Sequence, residues 1–107
     1  MIFEILNGVM YQNNRRFCYA KVNDGSASVQ HGSRAVRTQY SHHHGKVLPI
    51  VDGLGWVGTD KNDAVCVGQV LGNDGPLPCE LTISRLIAAV ESCEDVGRPV
   101  LMEISNG

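Results

Sequence analysis

Two stretches of this chain are apolar on both sides of a strand, and they constrain the fold more than any other feature. In "KVLPIV" (46–51) and "AVCVGQV" (64–70) successive residues, not alternate ones, are apolar. Neighbouring side chains of a strand point to opposite faces, so a half-exposed antiparallel strand would alternate apolar with polar residues. Both faces of these strands therefore need cover. Only "CELTISRLIAAVESCEDVG" (79–97) has strong helical periodicity. Ile83, Leu86, Ile87, Val90 and Glu94 follow three- and four-residue spacings, which gives an apolar stripe from Ile83 to Val90. Ser84, Arg85, Glu91 and Asp95 face away. Pro78 and Glu80 suit the first turn, and Gly97 followed by Pro99 stops the helix. One helix covers one face of a sheet, so the other face needs more sheet or a second subunit.

The remainder reads as short strands separated by turn residues. "FEIL-NG-VMYQ" predicts a hairpin, because Asn7-Gly8 suits a type I′ turn. "QNNR" turns into "RFCYAKV", "NDGS" into "ASVQH", and Gly32-Ser33 separates that strand from "RAVRTQY". "GWVG" follows a glycine-rich bend, "TDKND" and "GNDGPLP" read as loops, and "PVLMEI" as a last strand. The expected fold is α+β: a bent, mostly antiparallel sheet or partial barrel of about eight short strands. One helix in the C-terminal half packs across it, and a final strand follows. At 107 residues the chain is expected to form a single domain, 1–107.

With 43% hydrophobic and 19% charged residues, the chain has the composition of a soluble globular domain. "MIFEILNGVM" has no basic leader, and Glu4 and Asn7 interrupt its apolar residues, so it reads as neither signal peptide nor membrane span. A cytoplasmic location and no membrane partner are expected. Cys18, Cys66, Cys79 and Cys93 contain no C-x-x-C pair. On one helix, Cys79 and Cys93 would stand ~21 Å apart, against a limit of ~7 Å for a disulfide. Four reduced thiols are expected. Cys66 reads as core, and Cys18, beside the basic residues of "RRFCYAK", as a structural thiol whose pKa those charges would lower.

The net charge of −2 hides a net +4 over residues 1–51 and −6 over residues 52–107. No acid lies between Gly25 and Val51, a segment that holds all four histidines. Arg34, Arg37, His44 and Lys46 in the basic loop 31–46 are therefore candidate ligands for a small anion, the arginines supplying planar donor forks. Alternation along a strand would put Arg34 and Arg37 on opposite faces, which weakens that reading.

In an extended chain His42 and His44 would share a face ~6.6 Å apart at Cα and chelate one ion, zinc being the expected metal. His31 or Asp52 would supply a third ligand, and metal-assisted hydrolysis would be the natural chemistry. The competing reading is a polar loop that happens to hold histidines.

Gly53-x-Gly55-x-x-Gly58 matches a dinucleotide fingerprint, but "WVGTDKND" follows where a helix should open, so these read as turn glycines. No P-loop, EF-hand or G-x-S-x-G elbow is present. Acidic balance and 6% aromatics argue against nucleic acid. The leading expectation is a small non-enzymatic binding or assembly module, homo-oligomeric, with the two-faced strands completed by a second copy. A small anionic-ligand binder and a His42/His44 hydrolase are the alternatives.

Overall fold

The computed structural model describes residues 1–23, 32–60 and 62–105. The turn after Asn23, the strand expected at 27–31 and His31 lie outside them. Among the described residues, eight strands close into a barrel and one helix packs against it. The barrel order is β1 (Ile2–Leu6), β10 (Leu101–Ser105), β4 (Gly32–Ser41), β5 (Lys46–Val51), β6 (Gly55–Gly58), β7 (Val65–Gly68), β3 (Arg15–Val22) and β2 (Val9–Gln12), with β2 pairing back to β1. The α+β expectation holds. Six neighbouring pairs are antiparallel; β1–β10 and β6–β7 are parallel.

Local chemistry explains the first three strands. Asn7 and Gly8 both take positive φ, 52° and 79°, as a type I′ turn requires. Asn13 (49°) and Asn14 (71°) repeat that device between β2 and β3. Gly32 and Ser33, expected to end a strand, instead lie within β4 and pair with Ile104 and Glu103 of β10.

The helix α1 (Glu80–Glu94) buries Thr82, Ile83, Leu86 and Val90. Ile83, Leu86 and Val90 join one core cluster with Phe3, Met10, Leu48, Val57 and Met102. Its end is a Schellman motif: Arg98 N–H bonds to the Cys93 carbonyl, Gly97 N–H to that of Glu94, and Gly97 has φ 70°. Glu94, the polar member of the predicted stripe, accepts from the Thr38 hydroxyl and, at 3.2 Å, from the Thr38 N–H of β4.

Closure and the elements packed on the barrel cover β7 fully but β5 only in part, since Leu48, Pro49 and Val51 are buried while Val47 is 41% exposed. All four residues of β7 are buried. The β7 strand is shorter than expected, since Gln69 and Val70 leave it and are exposed. On its second face Cys66 Sγ meets the Asp60 carbonyl at 2.7 Å. That face is also covered by a hairpin that reads from composition as loop, β8 (Leu71–Gly72) with β9 (Gly75–Pro76). Leu77 N–H continues that ladder to the Val70 carbonyl at 2.8 Å. Among the described residues no helix is long and apolar enough to cross a membrane.

Candidate functional site

The histidine segment is a turn, not an extended strand. Ser41 pairs with Lys46, so residues 42–45 form a four-residue hairpin loop closed by Gly45 at φ 69°. Gly45 N–H bonds to the Ser41 carbonyl at 2.8 Å. His42 stacks edge-on against Tyr40, ring centroids 5.1 Å apart, and His43 against His44. His44 turns inward, where Ser41 Oγ lies 2.6 Å from Nδ1 and Asp63 Oδ1 lies 2.6 Å from Nε2. Both ring nitrogens are thus committed. Among the described residues no group of three or more His, Cys, Asp or Glu side chains could hold a metal ion. Asp52, one expected third ligand, sits just beyond the opposite end of the β4–β5 ladder, about 20 Å from Lys46 at the rise of an antiparallel strand.

Ser41, His44 and Asp63 have the order of a hydrolytic triad, but not its access. Ser41 is only 1% exposed. The His44 side chain is 12% exposed and that of Asp63 is 5% exposed. One neutral tautomer satisfies the set. Ser41 Oγ accepts the His44 backbone N–H at 3.2 Å and donates to Nδ1, while Nε2–H donates to Asp63. Asp63 Oδ2 accepts the Asp60 N–H at 3.2 Å. A buried hydroxyl already bonded twice offers no nucleophile to a substrate. The cluster pins the β4–β5 loop to the β6–β7 loop.

The way Asp63 arrives there follows from topology. β7 is a parallel neighbour of β6 with Val57 opposite Val65, so the chain must turn back soon after Gly58, and the Asp63 N–H bonds to the Asp60 carbonyl at 2.9 Å. Room for the carboxylate comes from Gly58, where an added Cβ would lie 2.0 Å from Asp63 Oδ2. The third glycine of the apparent fingerprint therefore seats a carboxylate of its own chain. A cavity of about 450 Å³ opens beside His44, lined by Asn23, His43, Trp56 and Asn62 among others.

The four candidate anion ligands do not converge. Arg34 Nη1 lies 3.4 Å from the Asp52 carbonyl, at the far end of the ladder from His44 and Lys46. Arg37 is exposed, and its Nη2 donates to Gln39 at 3.1 Å. Lys46 pairs with Glu80 of the helix at 2.8 Å, and holds the Glu80 carboxyl below its usual range. All four cysteines are free. Burial pushes the Cys18 thiol up to about 12, outweighing Arg85 and Arg16, so the lowering expected from its basic neighbours does not prevail. Burial also raises Cys66, whereas the Thr82 side chain and backbone lower Cys79.

Comparison with protein-family models, with curated proteins and with solved structures finds no match to this chain.

A different residue, exposed on the outer face of β3, lies between two further cavities. Lys21 of β3 runs beneath the β8–β9 hairpin, and its Nζ donates to the Asp74 carbonyl at 3.0 Å. Its stem fills the space of the missing Gly75 side chain, since a Cβ there would lie 3.0 Å from Lys21 Cδ. On one side is a cavity of about 610 Å³ whose floor includes Ile5, Ala20, Val22 and Ile104. On the other is a cavity of about 670 Å³ reaching Thr59 and Cys66. Nothing in the sequence marks Lys21, because a lone lysine on a strand has the look of a solvated side chain.

Proposed function

We propose that this chain is a non-enzymatic binding module that takes a small ligand at the barrel mouth, under the β8–β9 hairpin. The observation that carries the reading is the 610 Å³ cavity there, with an apolar floor and the polar groups of Asn7, Lys21, Asn73 and Ser105. Small-molecule sites favour barrel mouths and span roughly 300–1,000 Å³ with a few placed polar groups. The His44 cavity supports the reading less well, because His44, Asp63 and Asn23 already spend hydrogen bonds on one another or on backbone. A fragment screen read by amide chemical shifts tests the proposal. Hits should cluster at Gly8, Asn73 and Gly75; saturable hits confined to the His44 cavity, or none, would overturn it.

Self-association is a second reading, favoured by a separate observation. Val70, Leu71 and Leu77 are 59%, 58% and 49% exposed, and all three belong to the hairpin segment outside the closed barrel. Within the chain β7 is covered, so a second copy would cover this hairpin rather than that strand. Among the described residues β8 and β9 pair only with each other, and their outer edges are ones a second hairpin can pair. Light scattering at micromolar protein should give a dimer mass that Leu71→Asp converts to monomer. A wild-type monomer at both low and high salt would end this reading.

A further inference from the structure

We infer that the ligand of the barrel-mouth cavity is a small amphipathic anion, its apolar body on the Ile5, Val22 and Ile104 floor and its carboxylate or phosphate on Lys21 Nζ. The inference rests on the binding reading above and names its ligand class. An ammonium carries three donors and no acceptor. Lys21 spends one of them on a neutral carbonyl, that of Asp74, and among the described residues no carboxylate pairs with it. The remaining donors lie at the edge of a cavity whose floor is otherwise core: Ile5, Ala20 and Ile104 are 4%, 2% and 3% exposed. Apolar floor and cationic rim together select a molecule with one greasy end and one negative end. Asn7 and Asn73 also line the cavity. Asp74 is the opposing charge. It lines the cavity too, so its carboxylate would repel the ligand's negative group and weaken the contact without changing its site.

The two residues give opposite, separable effects, and this makes the inference testable with octanoate, octan-1-ol and inorganic phosphate as probes. Binding is followed by amide shifts at Gly8, Asn73 and Gly75 in the full chain. Octanoate should bind saturably there and more tightly than octan-1-ol, while phosphate alone should bind weakly for lack of an apolar body. Lys21→Met keeps the stem that packs on Gly75 and removes only the charge. It should weaken octanoate about fivefold or more and leave octan-1-ol unchanged. Asp74→Asn should tighten octanoate by roughly twofold. Equal affinity for octanoate and octan-1-ol, unaffected by either variant, would overturn the anion inference while leaving the binding module intact. Absence of saturable shifts with all three probes would overturn the inference, and absence of any fragment at this mouth would remove the module with it.

Discussion

Gly68→Ala should cost about 2–3 kcal/mol and lower the melting temperature by roughly 10 °C or more, a large effect for a single methyl group. Gly68 ends β7, where it pairs with Tyr19, and its φ is not in the left-handed region. Alanine is therefore acceptable to the backbone itself. At such a position, glycine to alanine ordinarily stabilises a protein by about 0.4–1 kcal/mol, because the unfolded chain loses freedom. Here the added Cβ would lie 2.1 Å from the Leu77 carbonyl oxygen and 3.2 Å from the Pro76 Cβ. The obstacle is backbone, so no rotamer change relieves it. The segment 70–78 must lift from the barrel, and with it the roof over Lys21. Protection of the Leu77 amide from hydrogen exchange should fall together with stability, since its bond to Val70 belongs to the displaced ladder. A variant as stable as the parent, or more so, would show that the hairpin does not seat on β7.

That seat also marks the limit of what the sequence discloses. Turns and the helix are local: Asn7-Gly8, Asn13-Asn14, the stripe from Ile83 to Val90 and the Gly97 stop each act within a few residues, and each takes its expected form. Barrel closure is not local. It depends on β1 pairing with β10 from the other end of the chain and on β6 running parallel to β7, neither of which leaves a periodic signature. Strands of two residues, such as β8 and β9, are too short to alternate visibly. At the histidines the sequence held a usable signal. A serine three residues before His44, with glycine next, suits a turn in which the hydroxyl caps the later N–H, and Ser41 does this at 3.2 Å. The chelating pair of His42 and His44 requires an extended segment, and residues 42–45 are a turn. No spacing links Asp63 to His44, because the parallel β6–β7 pairing, not the local sequence, brings them together.

His44→Ala should be the most damaging change in that cluster, at about 3–4 kcal/mol, because it strands a carboxylate that is 5% exposed. Asp63 would keep the Asp60 N–H on Oδ2 but lose the donor on Oδ1, and Ser41 would lose the acceptor for its hydroxyl. Asp63→Ala should cost less, about 1–3 kcal/mol, since it leaves a neutral imidazole N–H unpaired rather than a charge. If the two side chains act as one clamp, the double variant should be more stable than the sum of the single losses implies, by at least about 1 kcal/mol in urea denaturation. Gly58 gives an independent check on the same carboxylate. Gly58→Ala should destabilise the parent, where the new Cβ would meet Asp63 Oδ2 at 2.0 Å, and should be far milder once Asp63 is alanine. Additive losses in both cycles would mean that Asp63 is held by its loop rather than by His44. A strong His44–Asp63 coupling with a Gly58 effect blind to Asp63 would place the carboxylate on His44 but away from the β6 backbone. Coupling in both ties the two loops to one buried charge, and the histidine run then has a structural reason to end in His44.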